Sequence, residues 1–356
     1  MSTASARLEP ATTPAGEPTR RVRKSVTALR SLGLLAAVAV LALIVVLSIG
    51  VGAKPIPMTD VVHALFQGNR TDNGIVVLDL RLPRTLLGIG VGAALGMAGV
   101  LMQALTRNPL ADPGILGVNI GASVAVVIAI WIWRFADLTA YVWFAFIGAG
   151  LASVIVYLLG SRGRSGPTPV RLALAGTAVS AVLGAVISFV TLLNPDVFDQ
   201  FRFWGVGSLS GVNGSVLWQV LPFLVAGAAL TLGLSGSLNA LALGDETAKA
   251  LGSNINRTRI LGALAVTLLC GAATAAVGPI GFVGLTIPHI ARVITGPDHR
   301  WLLPYSMVLG PILLIGADIL GRIVARPGEI QVGIITAFVG APVFIALVRR
   351  RRIPEL

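Results

Sequence analysis

Charged side chains make up only 12% of this 356-residue chain, and several of them stand in short, closely spaced runs. Arg81-Leu82-Pro83-Arg84-Thr85 holds two guanidinium groups around a proline. Guanidinium and carboxylate match as bidentate partners, so the pair suits the capture of acidic groups on another protein. An ordinary interfacial anchor would use the same residues. Ala317-Asp318-Ile319-Leu320-Gly321-Arg322 sets an acid and a base one helical turn apart inside an apolar run. An unpaired Asp318 would cost about 2.5–3.5 kcal/mol on insertion, so it needs a partner, and Arg322 is the local one. Leu243-Gly244-Asp245-Glu246-Thr247-Ala248-Lys249-Ala250-Leu251-Gly252 reads as a short helix with acids at its positive end, Lys249 one turn after Asp245 and Gly252 as its stop. Such a helix is either solvated surface or a docking element.

The same inventory narrows the chemistry. His63, His289 and His299 are not at metal-ligand spacing, and the single Cys270 lies in an apolar run, which argues against a structural zinc site or a disulfide. The lysines are Lys24, Lys54 and Lys249, and none follows glycine as a phosphate-binding GxxxxGK loop requires. No set of converging carboxylates, histidines or nucleophile with base is evident, so the chain reads as non-catalytic, with no cofactor or metal of its own.

These residues must be positioned by membrane helices. The chain is 55% hydrophobic and 12% charged, with a mean hydropathy of +0.87, more apolar than a soluble domain keeps from its surface. A hydrocarbon core of about 30 Å takes about 20 apolar residues as a helix, and the runs lack the alternation of barrel strands. Spans are expected at 31–53, 84–105, 115–133, 141–160, 170–193, 216–236, 257–277, 281–294, 301–322 and 331–348. The fold class is therefore an all-α polytopic membrane protein of about ten transmembrane helices. Residues 1–30 are expected to form a disordered basic cytoplasmic tail, and 31–356 the membrane domain with a cytoplasmic loop at about 237–257. Arg20 and Arg21 superficially match a twin-arginine export signal, but the apolar run that follows favours a retained span.

Charge gives the orientation. With the N-terminus inside, 19 of the 27 lysines and arginines fall on the cytoplasmic side and 8 outside, the bias expected when both termini are cytoplasmic in a plasma membrane. The net charge of +12 is thus a matter of topology rather than of nucleic-acid binding. Trp131, Trp133, Tyr141 and Trp143 flank the third-to-fourth connection, as interfacial rings or as core aromatics.

Gly88, Gly92 and Gly96 line one face of the second span, where another helix could approach closely; small residues are also simply common in membrane helices. After that span, Gln103-Ala104-Leu105-Thr106-Arg107-Asn108-Pro109-Leu110-Ala111-Asp112-Pro113-Gly114-Ile115-Leu116-Gly117 reads as a structured reversal around Asn108 and Pro109. In Gly278-Pro279-Ile280-Gly281-Phe282-Val283-Gly284-Leu285-Thr286-Ile287-Pro288-His289, glycine and proline interrupt an apolar stretch. Pro279, Gly281 and Pro288 point to a broken helix lining a cavity or buried in protein, with His289 as a structural hydrogen-bonding group or a path residue.

In this order, RLPRTL, MQALTRNPLADPGILGV, LGDETAKALG, GPIGFVGLTIPHIAR, ADILGR and GEIQVGIITAFVGAPVFIALV resemble the FecCD family of permeases for iron-siderophores, haem and cobalamin. The resemblance runs from about Arg81 to the C-terminus and departs from the family in the long basic tail and at Gly321, where many relatives carry alanine. It implies a BtuC-like ABC importer permease of ten helices that pairs with an identical or similar second permease. Two cytoplasmic ATPase subunits, which bind ATP and Mg, and an extracytoplasmic binding protein complete the complex. By resemblance, Arg81, Arg84 and Arg322 are the outer arginines that meet glutamates of the binding protein, and 244–252 is the helix that docks on the ATPase. Ferric siderophore is the expected cargo, with haem or cobalamin as alternatives. A secondary transporter or channel is the competing class, but it would require paired ionisable residues deep in several spans, and Asp318 is the one clear candidate.

Overall fold

The computed structural model describes residues 18–68, 71–133, 138–161, 169–212 and 214–349. In chain order the helices are α1 (Pro18–Gly50), α2 (Met58–Gln67), α3 (Asp72–Ile75), α4 (Leu82–Thr106), α5 (Val118–Trp133), α6 (Leu138–Ser161), α7 (Pro169–Leu193) and α8 (Pro195–Gly205). They continue with α9 (Gly214–Gly233), α10 (Ser235–Ala242), α11 (Asp245–Ala250), α12 (Ile255–Val277), α13 (Val283–Thr295), α14 (His299–Val324) and α15 (Val332–Arg349). A π-helical stretch, Val76–Arg81, joins α3 to α4, and a short 3-10 turn, Pro113–Leu116, precedes α5.

Among the described residues, seven helices are long and apolar enough to cross a membrane, and α5, α13 and α15 are shorter apolar helices. Together they fall on the ten expected spans. One boundary differs. The expected disordered tail, 1–30, is helical from Pro18 onward, and only residues 1–17 lie outside the described residues. Proline is well tolerated at a first helical position, and the Arg, Val, Lys, Ala and Leu residues that follow are compatible with helix, so α1 begins well before its apolar part at Thr27. The basic positions Arg162, Arg164 and Arg350 to Arg352 also lie outside the described residues.

The bundle is built around α4, which is buried along most of its length, with α12 and α14 against it. Glycine makes this contact. A Cβ on Gly92 would lie 2.6 Å from the backbone of Pro311, one on Gly96 2.5 Å from the Ser306 carbonyl, and one on Gly88 2.9 Å from Ile315, so this stripe faces α14. α1 and α7 lie at the edge with most of their apolar side chains exposed, as lipid-facing or partner-facing helices require.

The interruption expected near Gly278 is present between α12 and α13. Gly278 has φ +76° with its Cα hydrogens against the Trp204 carbonyl, and the Pro279 carbonyl packs on Gly207; Gly281 lies exposed within the break. α13 then starts beside the middle of α4, where a Cβ on Gly99 would lie 1.9 Å from the Gly284 carbonyl. Pro288 lies buried inside α13, and one residue on, His289 Nε2 donates to the Pro109 carbonyl at 2.9 Å, tying α13 to the reversal after α4. Asn108 shapes that reversal by accepting from the Leu110 N–H at 2.9 Å. Trp131, Trp133 and Trp143 are exposed as interfacial rings would be, whereas Tyr141 is buried and donates to Gln200 of α8 at 3.3 Å.

Candidate functional site

Two polar assemblies stand at opposite ends of the bundle. At the predicted outer end, the last turn of α1 leaves carbonyls without intrahelical partners, and arginines from distant helices fill them. Arg81 donates from Nη1 to the carbonyls of Ile49 and Gly50 at 2.9 and 2.8 Å and from Nη2 to that of Lys54 at 2.5 Å. Gly52 makes room for this guanidinium, since a Cβ there would lie 2.5 Å from Arg81 Nη2. Arg322 reaches the Ser48 carbonyl at 2.8 Å from α14, and Arg326 reaches that of Gly52 at 3.1 Å.

Asp318 is the hub. Arg84 grips it with two bonds, Nε to Oδ2 at 3.1 Å and Nη2 to Oδ1 at 2.7 Å, while Arg322 holds Oδ2 from one turn along α14. The partner legible in the sequence, Arg322, is thus joined by a second one 234 residues away. The remaining Arg84 nitrogen meets Glu329 Oε2 at 2.7 Å. Arg81 and Arg322 are 5% and 2% exposed, so neither presents a free cation on this face; Arg84, at 12%, is the most accessible of the three. A cavity of about 720 Å³ opens beside them, lined by Lys54, Asp79, Arg81, Arg84, Arg322 and Glu329 among others.

At the predicted inner end, α10 and α11 lie across the ends of α4 and α12. Gly244, at φ +105°, turns the chain between them, and Gly252, at φ +80°, ends the second as its sequence requires. Asp245 does not pair with Lys249. It forms an ion pair with Arg107, the left-handed C-cap of α4, and with Arg259 of α12 at 3.1 Å; Arg107 Nε also donates to the Leu241 carbonyl at 3.1 Å. Lys249, one turn on, points away because Ala248 occupies the buried face of so short a helix. The outward surface consists of Glu246, Thr247 and Lys249 between the exposed leucines Leu243 and Leu251.

Among the described residues no group of three histidine, cysteine or acidic side chains stands together as metal ligands would. What the geometry offers is a bundle with an ion-paired cap at one end and an anchored surface helix at the other. A family model, the FecCD transport family, matches residues 40–350. The chain belongs to that family. This FecCD permease is 52% identical over 306 residues to the ferric enterobactin transport system permease protein FepD of Escherichia coli, covering 86% of this chain and 91% of the relative. It is 45% identical to the Fe(3+)-citrate import system permease protein YfmD of Bacillus subtilis, with the same coverage. A solved metal-chelate type ABC transporter, described as inward-facing, superposes with a TM-score of 0.78 at 29% identity, over 88% of this chain and 98% of that one. The protein is an all-helical, multi-pass FecCD-type ABC permease.

Sequence reasoning missed Glu329, Arg107 and Arg259 as partners of the charges it singled out. Arg107 and Glu329 sit inside the quoted motifs, but nothing in their spacing names a partner across the bundle.

Proposed function

We propose that this permease forms, with an identical or similar second permease, the path by which a ferric siderophore enters the cell in a binding-protein-dependent ABC importer. Its termini are cytoplasmic. Two cytoplasmic ATPase subunits bind and hydrolyse ATP with Mg, and the chain itself catalyses nothing. The observation that carries the reading is α11, a short helix fixed to the ends of two core helices through Asp245, with a mixed apolar and charged face turned outward. Exposed leucines on either side of Glu246 and Lys249 supply the combination of apolar and charged contact that a docking surface uses. The likeness to permeases named for ferric enterobactin and ferric citrate supports the cargo class.

At the other face we propose that Arg84 receives a carboxylate of the binding protein, which takes the place now held by Glu329, while Arg81 and Arg322 frame the site from within. Glu329 is the partner that a stronger external acid would exchange, since it is 28% exposed where Asp318 is 1% exposed. Binding energy from that exchange would favour a different arrangement of the cap, as any ligand-driven shift requires.

The test is reconstitution of the permease with its ATPase and binding protein in vesicles and measurement of radiolabelled ferric enterobactin uptake. Uptake that requires both ATP and the binding protein is the expected result. Uptake driven by an ion gradient without ATP would replace this reading with a secondary transporter, and ATP-dependent uptake of haem or cobalamin alone would change the cargo.

A further inference from the structure

α10 is held to a third core helix by contacts that involve neither α11 nor Asp245. Asn239, midway along α10, donates from Nδ2 to Asp298 Oδ1 at 2.7 Å and accepts at Oδ1 from the His299 N–H at 2.9 Å and from His299 Nδ1 at 2.8 Å. Asp298 is the N-cap of α14, accepting from the Arg300 N–H at 3.0 Å, and His299 is the first residue of that helix, 2% exposed. One amide thus closes three hydrogen bonds onto the start of α14. The apolar floor beneath is Leu238 and Leu241, both buried.

α14 is the element that runs from this clasp to the predicted outer cap. Its 26 residues span about 39 Å and carry Asp318 and Arg322 near the far end. Near mid-length it touches α4 backbone to backbone: a Cβ on Gly310 would lie 2.0 Å from the Gly92 carbonyl. Pro304 and Pro311 flank that contact, each removing a helical hydrogen bond, so α14 is bendable there. A helix gripped at one end, in tight contact at its middle and bonded to a charged cap at the other has the parts of a lever.

We propose that Asn239, Asp298 and His299 are positioning residues that transmit movement of the α10–α11 element to α14, and through the Gly92–Gly310 contact to the Asp318 cap. This rests on the importer reading above. Docking and transmission are then separate jobs within one surface element: α11 holds the ATPase, and α10 passes its movement on. The clasp faces inward, so its loss leaves the docking face intact. It breaks the coupling, a free-energy linkage that typically corresponds to about 5–150-fold.

The experiment uses the whole complex in vesicles and compares wild type, Asn239→Ala, Asn239→Asp and the exchange variant Asn239→Asp/Asp298→Asn. Three quantities are measured: ATPase co-purification, binding-protein stimulation of ATP hydrolysis, and ATP consumed per ferric enterobactin taken up. Asn239→Ala should retain its ATPase and basal hydrolysis, lose most of the stimulation, and consume about tenfold more ATP per substrate. Asn239→Asp should behave likewise, because two carboxylates then face each other. The exchange variant restores one acid and one amide, with asparagine still a good N-cap, and should return the ratio to within about twofold of wild type. A normal ratio in Asn239→Ala, or loss of the ATPase from it, or failure of the exchange variant to recover, overturns the proposal. If wild type moves no ferric enterobactin, the cargo reading falls instead, and stimulation of hydrolysis still decides the clasp.

Discussion

The two ends of this bundle handle charge in opposite ways. At the predicted outer end, Arg81, Arg84, Arg322, Asp318 and Glu329 are turned on one another and on the carbonyls of α1, so most of that charge is consumed in closing the structure. At the predicted inner end the work is divided. Asp245 faces Arg107 and Arg259, while Glu246 and Lys249, one and four residues on, face outward. A charge in a motif is therefore not by itself a contact for a partner. The difference follows from what each end must satisfy, since the cap surrounds a helix terminus with orphan carbonyls and α11 is a six-residue helix with one buried position, Ala248.

The largest effect is expected at Asp318. Asp318→Ala leaves Arg84 and Arg322 without their shared acid and should cost about 3–5 kcal/mol, read as loss of monodisperse protein after heating in detergent. Thermal behaviour like wild type would mean that the cap is not structural. Gly321→Ala probes the same end sterically. Its Cβ would lie 2.5 Å from the Ile330 carbonyl, so about 1–3 kcal/mol of destabilisation is expected in the same assay.

The inner end is sharpened by separating its two layers. Asp245→Lys faces two arginines and should detach α11, lowering both thermal stability and ATPase co-purification. Glu246→Lys should leave stability unchanged and weaken ATPase association by about tenfold, as truncating or reversing an interface charge does. Equal behaviour of the two variants would erase the division. Between the outer arginines, Arg84→Ala should reduce binding-protein affinity by about tenfold with the complex intact, whereas Arg81→Ala should register first as instability. The smallest effect concerns pH. Burial pushes the Asp298 carboxyl up, but the hydrogen bonds from Asn239 and the Arg300 N–H, with the charges of Arg300 and Arg30, outweigh it and hold the group below the usual carboxylate range. A depressed folded value means that this stabilisation is present above the unfolded value of about 3.9 and is lost as pH falls through the lower folded one. The ratio of ATP to substrate should accordingly show no titration from Asp298 between about pH 6 and 8, and one there would point to another group.

Much of the fold was legible because hydropathy and helix length are local properties. The run 170–193 reappears as Pro169–Leu193, and the Gly-Pro interruption fell where α12 ends. The amphipathic helices α2 and α8 were not read from the sequence. Each is only ten or eleven residues long, and α8 begins at Asn194-Pro195, which on local evidence reads as a turn. Of the site, Arg322 was legible as the partner of Asp318 because the two share one helix. Arg84 was not, for nothing in a linear sequence brings a residue 234 positions away onto the same carboxylate. The clasp at Asn239 was likewise invisible: an asparagine, an aspartate and a histidine at helix ends carry no pattern until α10 and α14 meet.

The capping of α1 also bears on how the protein is made. The first span enters the membrane early in synthesis, yet Arg322, which occupies the Ser48 carbonyl, lies 274 residues later in the chain. At translation rates of about 5–20 residues per second, the Ser48 carbonyl waits roughly 15–55 s for Arg322, whereas Arg81, 31 residues after Gly50, is available to the Ile49 and Gly50 carbonyls far sooner. Until α14 has been threaded, the end of the first helix has Arg81 but not Arg322, and a chain truncated before Arg322 never acquires the second closure. The closure of the first span is thus completed only by the last third of the chain, so late synthesis finishes what early synthesis begins.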